Sequence, residues 1–137
     1  EAALAGLPVR FAINPMPEAG QAGSVVAGVR ALSPAAEAAL VALGDQPHVP
    51  RAVLVGLCEA HRATRLPIVA PRYREGRGNP VLFAAAVFPE LLRLTGDQGA
   101  RGGIDVDPTR VALVPFDLPM PRDLDTPDDY ESVRARR

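Results

Sequence analysis

Apolar and polar positions along the chain fall into short blocks whose period changes repeatedly, and these changes predict alternating strands and helices. Pro8-Val9-Arg10-Phe11-Ala12-Ile13 reads as a short strand closed by Asn14-Pro15, and a Gly- and Pro-rich loop follows from Met16 to Gly23. Ser24 is expected to cap a helix whose inner face is Val25, Val26, Val29 and Leu32, with Ser33-Pro34 ending it. Ala38 to Leu43 is apolar without alternation, as a central strand covered on both faces should be. Pro50 is placed to start the next helix, with Val53, Leu54, Leu57 and Cys58 facing inward. Pro67-Ile68-Val69-Ala70 is a short buried strand, Arg72 to Pro80 a polar loop, and Val81-Leu82-Phe83 a further brief strand. Phe88, Leu91, Leu92 and Leu94 give a further helix its core face, with Pro89 near its first turn. Gly96 to Gly103 should turn into or around a short helix, and Arg110 to Phe116 is the last strand. Thr126-Pro127-Asp128-Asp129 then opens the final helix: Thr126 can cap it, Pro127 fits its first position, and the acids meet its positive end. Strands alternating with helices predict an α/β layered domain with a mostly parallel sheet, one domain over residues 1–137. Glu1 is no initiator Met, and the first residues read as the end of a helix, so the chain is expected to be a fragment or a processed product.

Composition narrows the functional classes. A chain of 137 residues with 47% hydrophobic and 23% charged residues can bury a core of ordinary globular kind. The formal net charge of −1 offers no global basic field for nucleic acid. No apolar run approaches the roughly 20 residues of a membrane span, and the short start from Glu1 to Gly6 lacks the basic n-region expected of a signal peptide. All 15 basic residues are Arg, so chemistry that would use a lysine ammonium over phosphates is expected to use Arg here or to lie on a segment outside this sequence. Cys58 is the single cysteine, which rules out an intrachain disulfide and a Cys-based metal cluster and fits a cytoplasmic setting.

Three polar loops follow predicted strands, where open α/β sheets collect ligands: Gly44 to Pro47, Arg72 to Pro80 and Leu118 to Thr126. Asp45, just beyond a buried strand, is held on a rigid element and suits a hard cation such as Mg²⁺, usually bound by one or two carboxylates plus substrate phosphates. The same four residues also suit a plain turn ahead of a helix. Asp123 and Asp125, two residues apart, point the same way if extended and could join Asp45 at a metal. Asp125 also suits a place near the helix cap, and Asp128 and Asp129 read as partners of the helix dipole. Gly78-Asn79-Pro80 permits close backbone approach to a ligand, Arg101 could grip a phosphate through two hydrogen bonds, and Gly23-Ser24 could hold an anion or a base edge. His61 reads as solvated, His48 lacks a partner at ligand spacing, and Cys58 reads as packing. No Gly-x-Ser-x-Gly elbow supports serine hydrolase chemistry.

Taken in order, Leu43-Gly44-Asp45-Gln46-Pro47, Gly78-Asn79-Pro80-Val81-Leu82-Phe83, Leu94-Thr95-Gly96-Asp97-Gln98-Gly99-Ala100-Arg101 and Asp123-Leu124-Asp125-Thr126-Pro127-Asp128-Asp129 resemble the MobA/MocA-like nucleotidyltransferases. Within them the sequence is more similar to the molybdenum cofactor cytidylyltransferases and the accessory proteins of molybdenum hydroxylases, from about Asn14 to Tyr130. The resemblance implies a Rossmann-like three-layer nucleotidyltransferase fold lacking its N-terminal part. It implies transfer of CMP or GMP from CTP or GTP to the phosphate of molybdopterin, with pyrophosphate released. Asp45 would hold Mg²⁺ against the triphosphate, and Asp123 or Asp125 would be the second protein ligand. Gly23 and Ser24 would lie near the base, while Gly78, Asn79, Pro80 and the block ending at Arg101 would line the acceptor side. A molybdenum hydroxylase apoenzyme is the implied protein partner. Two departures stand out: the family usually has His where Asn79 stands, and its Gly-rich N-terminal phosphate loop is absent from this sequence. Sugar-phosphate nucleotidyl transfer and a non-catalytic cofactor-binding accessory role are the alternatives.

Overall fold

A computed structural model describes residues 4–97 and 107–134 of the chain. Five strands form one sheet: β1 (Ala38–Val41), β2 (Ile68–Tyr73), β3 (Gly76–Arg77), β4 (Val81–Ala84) and β5 (Val111–Pro115). The helices are α1 (Gln21–Arg30), α2 (Arg51–Thr64), the single turn α3 (Phe88–Leu91) and α4 (Pro127–Arg134). None of the described helices is long and apolar enough to cross a membrane.

Alternation along the strands sorts side chains to two faces. Ile68, Ala70, Val81 and Phe83 point to one side and pack with Val29 of α1 and with Val87 and Leu91 around α3. Val69, Tyr73 and Leu82 point to the other and meet Val53 and Leu57 of α2. Two apolar clusters on opposite faces of one sheet make the layered α/β arrangement that the alternation predicts, with the three layers that the resemblance implies.

The expected mostly parallel sheet is corrected. Among the described strands, β4 runs antiparallel to both β1 and β2, β3 runs antiparallel to β2, and only β2 and β5 pair in parallel. The cause lies in connection length. No helix separates β2 from β4; the chain turns through β3 and comes straight back, which an antiparallel strand permits and a parallel one does not. β1, β2 and β5 still share one direction, so their carboxyl ends gather at one edge of the sheet.

Other expectations shift for identifiable reasons. Pro8 to Ile13 pairs with no described strand, and Val9, Phe11 and Ile13 are exposed; without a neighbour no ladder forms. β1 is shorter than Ala38 to Leu43 and only half-buried, because among the described strands it pairs on one side alone, with β4. The Arg72 to Pro80 stretch carries the end of β2 and all of β3 rather than being wholly loop. Leu92 faces outward from α3 at 38% exposure. Ser24 does not cap α1: the helix begins one turn earlier behind Gly20, whose φ of +105° few other residues adopt. Most of the Gly96 to Gly103 turn lies outside the described residues. At α4 the expected cap is present, the Thr126 hydroxyl accepting from the Asp129 N–H at 3.2 Å while the Asp129 carboxylate accepts from the Thr126 N–H at 2.9 Å.

Candidate functional site

The loops at the shared carboxyl edge are hydrogen-bonded to one another. Beyond β1, the carbonyl of Asp45 accepts from the Leu124 N–H at 2.9 Å. Gln46 is buried at 7% exposure and donates through Nε2 to Asp123 Oδ1 at 2.7 Å and to the Pro121 carbonyl at 3.4 Å. Its Oε1 is buried without a partner among the described residues. An unpaired buried carbonyl costs about 1–3 kcal/mol, so other contacts of the loop must offset that cost.

A second set of bonds ties the β2–β3 turn to the stretch after β5. The Arg74 N–H donates to the Leu118 carbonyl at 3.1 Å, the Arg74 guanidinium meets Asp117 at 2.7 Å, and the Met120 N–H donates to Glu75 Oε2 at 2.8 Å. The hydrogen bond that Arg74 donates to Asp117 raises the Arg74 pKa, although both side chains are largely exposed and solvent screens the pair. Tyr73, pointing into the α2 side of the core, donates its hydroxyl to the Asn79 carbonyl at 2.7 Å, and burial raises its pKa. Gly78 faces that ring: a Cβ there would lie 2.9 Å from Tyr73 Cδ2, closer than packed carbons approach.

These contacts fix the sequence-predicted residues as follows. The antiparallel register sets Val41 opposite Val81, so Gly78, Asn79 and Pro80, which lead into β4, arrive beside the end of β1 and the Asp45 loop. All three are buried, with a cis bond between Asn79 and Pro80. Asp45 and Asp123 are exposed on the two loops joined through Leu124 and Gln46. Asp125 is exposed as well, but its backbone is drawn toward Asp129, whose carboxyl is held below the usual range by the Thr126 hydroxyl and N–H and further by the Asp125 N–H. Ser24 and Gly44 line one cavity of about 410 Å³, between α1 and the open side of β1. Gly23 sits against Asn14, where a Cβ would approach Nδ2 to 2.8 Å, and that same Nδ2 donates to Ser24 Oγ at 3.2 Å. His48, Met120, Arg122, Asp123 and Asp129 share a second cavity of about 540 Å³ under α4. Arg101 lies outside the described residues.

Sequence reasoning missed Gln46, Tyr73 and Asn14. Only Gln46 carried a signal, as a polar residue between an acid and a proline; the other two join segments that sequence spacing does not connect. The carboxylate oxygens of Asp45 and Asp123 are donors that suit a hard divalent cation. Among the described residues no three His, Cys, Asp or Glu side chains gather closely enough to cage a metal by themselves. A cation held by these two carboxylates alone would need its remaining positions filled by phosphate oxygens and water.

The MobA-like NTP transferase domain matches residues 1–113. Rv0371c from Mycobacterium tuberculosis H37Rv is similar in structure, with a TM-score of 0.72 and 34% identity over 82% of this chain and 58% of that one. Its complex with manganese aligns at a TM-score of 0.70 and 34% identity over 80% of this chain and 58% of that one. The Rv0371c homolog from Mycobacterium sp. strain JC1 aligns at 0.68 and 30% identity over 82% and 56%. The chain thus spans less than two thirds of the length of these solved structures. A search of curated proteins returned no match. With the domain match running over most of the sequence and the layered sheet shared with these structures, the chain belongs to the MobA-like NTP transferase domain family.

Proposed function

We propose that this protein is a nucleotidyltransferase that moves CMP or GMP from CTP or GTP to the terminal phosphate of molybdopterin and releases pyrophosphate, in molybdenum cofactor maturation in the cytoplasm. Residues 1–137 are read as one domain of it. The observation that carries this reading is the junction of the two acidic loops, where Leu124 N–H meets the Asp45 carbonyl and Gln46 meets Asp123.

In the proposed reaction an oxygen of the acceptor phosphate attacks the α-phosphorus in line. The new P–O bond forms as the bond to the β-phosphate bridging oxygen breaks, and pyrophosphate leaves with that electron pair. A bound Mg²⁺ supplies charge neutralisation on the triphosphate. Asp45 would hold it, with Asp123 or Asp125 as the second protein ligand. Gly23 and Ser24 contribute to the base side, near the cavity that Ser24 shares with Gly44. Gly78, Asn79 and Pro80 would form the acceptor side, where the absence of a Cβ at Gly78 admits the Tyr73 ring and keeps the Asn79 backbone fixed. Arg101 is assigned to a phosphate of the acceptor. The protein's part is positioning and electrostatic stabilisation, with no covalent intermediate. A molybdenum hydroxylase apoenzyme is the proposed recipient of the product.

Pyrophosphate release, measured on the full-length protein with molybdopterin and with sugar phosphates as acceptors, tests the reading. Asp45→Ala should lower molybdopterin-dependent release by at least about 100-fold, the scale of losing one preorganised electrostatic contact, with an unchanged circular dichroism spectrum. Turnover at the unsubstituted level refutes the role of Asp45. Release with sugar phosphates alone removes molybdopterin, and nucleotide binding that ignores Mg²⁺ in calorimetry points to a cofactor-binding accessory protein instead.

A further inference from the structure

We infer that Gln46 is a positioning residue that fixes the Asp123 carboxylate through Oδ1 and leaves Oδ2 for the divalent cation; the inference rests on reading Asp123 as a cation ligand. The Gln46 side chain is buried, and its Nε2 points both protons at the 121–123 segment, one to Asp123 Oδ1 at 2.7 Å and one to the Pro121 carbonyl at 3.4 Å. Turning the amide over would set Oε1 against the carboxylate, so the orientation that leaves Oε1 without a partner is the one Asp123 demands. The backbone holds the same residue from the other side: Gln46 N–H donates to the Leu43 carbonyl, and the neighbouring Asp45 carbonyl accepts from Leu124.

The choice of an amide is itself informative. A Lys or Arg at this position would orient the carboxylate equally well but would neutralise it, and the site would lose its attraction for a cation. An amide donor occupies one oxygen and leaves the full negative charge in place. With Oδ1 engaged by Gln46, Oδ2 is the oxygen left clear of that bond and the better placed to ligate. Such an outer partner fixes the geometry of a metal ligand without touching the metal.

Mn²⁺ added to this chain, with the free ion counted by electron paramagnetic resonance, tests the assignment in four variants: Gln46→Met, Gln46→Leu, Asp123→Asn and the double variant Gln46→Met/Asp123→Asn. Gln46→Met keeps the volume and removes the donor, and should weaken Mn²⁺ binding about 10-fold to 100-fold, the usual range for loss of an outer partner. Gln46→Leu, which also removes the donor without adding charge, should weaken it in the same direction and guards against a folding defect particular to Met. In the Asp123→Asn background, Gln46→Met should add no further loss, because its effect passes through Asp123. Additive losses would mean that Gln46 acts only on the fold and would overturn the inference. So would unaltered binding in both Gln46 variants alongside weakened binding in Asp123→Asn, an outcome that leaves the proposed function standing. If Asp123→Asn itself binds Mn²⁺ like the unsubstituted chain, the assignment of Asp123 as a ligand fails first, and the role of Gln46 with it.

Discussion

Tyr73 joins the core to the candidate site through one hydroxyl. Its ring belongs to the α2-side cluster and touches Phe116 at a centroid distance of 6.4 Å, while its oxygen donates to the Asn79 carbonyl just before Pro80. The ring would hold its place without the hydroxyl, because Gly78 and Phe116 enclose it. Tyr73→Phe therefore isolates the hydrogen bond: it should lower stability by about 1–3 kcal/mol, the cost of leaving a buried partner unpaired, and chemical denaturation would measure it. A variant as stable as the parent would show that the Asn79 carbonyl finds another donor. Asn79 was singled out from its place in a Gly-Asn-Pro run, but the residue that fixes its backbone lies six positions upstream and has an ordinary core pattern. Contacts of that kind are not written in spacing.

Among the elements, α2 was the most legible and β4 the least. Val53 and Leu57 recur at the helical period and are both fully buried, and Pro50 stands directly before the first turn, as its pattern predicts. Leu57→Ala should accordingly cost about 2–5 kcal/mol in thermal or chemical unfolding, through lost contacts and the cavity left behind. Val55→Ala, two residues away at 42% exposure, should stay within about 0.5 kcal/mol. Similar costs at both positions would mean that the helix face is misassigned. The Val81-Leu82-Phe83 stretch was readable as a strand, yet its direction was not, because an apolar run of that length is compatible with either pairing. Its reversal matters for function: only a strand entering from the edge where β1 ends can deliver Gly78, Asn79 and Pro80 to the Asp45 loop. Pro8 to Ile13 failed in the opposite way. Its alternation is that of a strand, but alternation says nothing about whether a neighbour is present to pair with it. The Asp45 loop was found because an acid after a buried strand is a local signal, whereas the Gln46–Asp123 contact joins residues 77 positions apart.

Across the whole molecule, the layer holding α1 and α3 is fastened to the sheet partly by charge. Arg110, just before β5, meets Glu90 of α3 through two parallel hydrogen bonds, Nη1 to Oε2 at 2.9 Å and Nη2 to Oε1 at 2.7 Å. The hydrogen bonds from Arg110 hold the Glu90 carboxyl below its ordinary value of 4.5, and they raise Arg110 in turn. Because the folded pKa of Glu90 is the lower one, its stabilising contribution is complete above the unfolded value and disappears as pH falls through the folded value. Unfolding temperature should thus decline on acidification below about pH 4.5, and Glu90→Gln should make that decline shallower while lowering stability at neutral pH. The two side chains are 33% and 43% exposed, so screening keeps the effect small and 1 M salt should shrink the difference between the two proteins. Asp107 and Asp129 are lowered by hydrogen bonds from Thr109 and Thr126 and contribute to the same acid decline, so Glu90→Gln cannot flatten it completely. Identical pH profiles for the two proteins at low salt would show that the fork between Arg110 and Glu90 does not couple α3 to the sheet, and packing of Leu91 against Phe83 and Val87 would then hold that layer by itself.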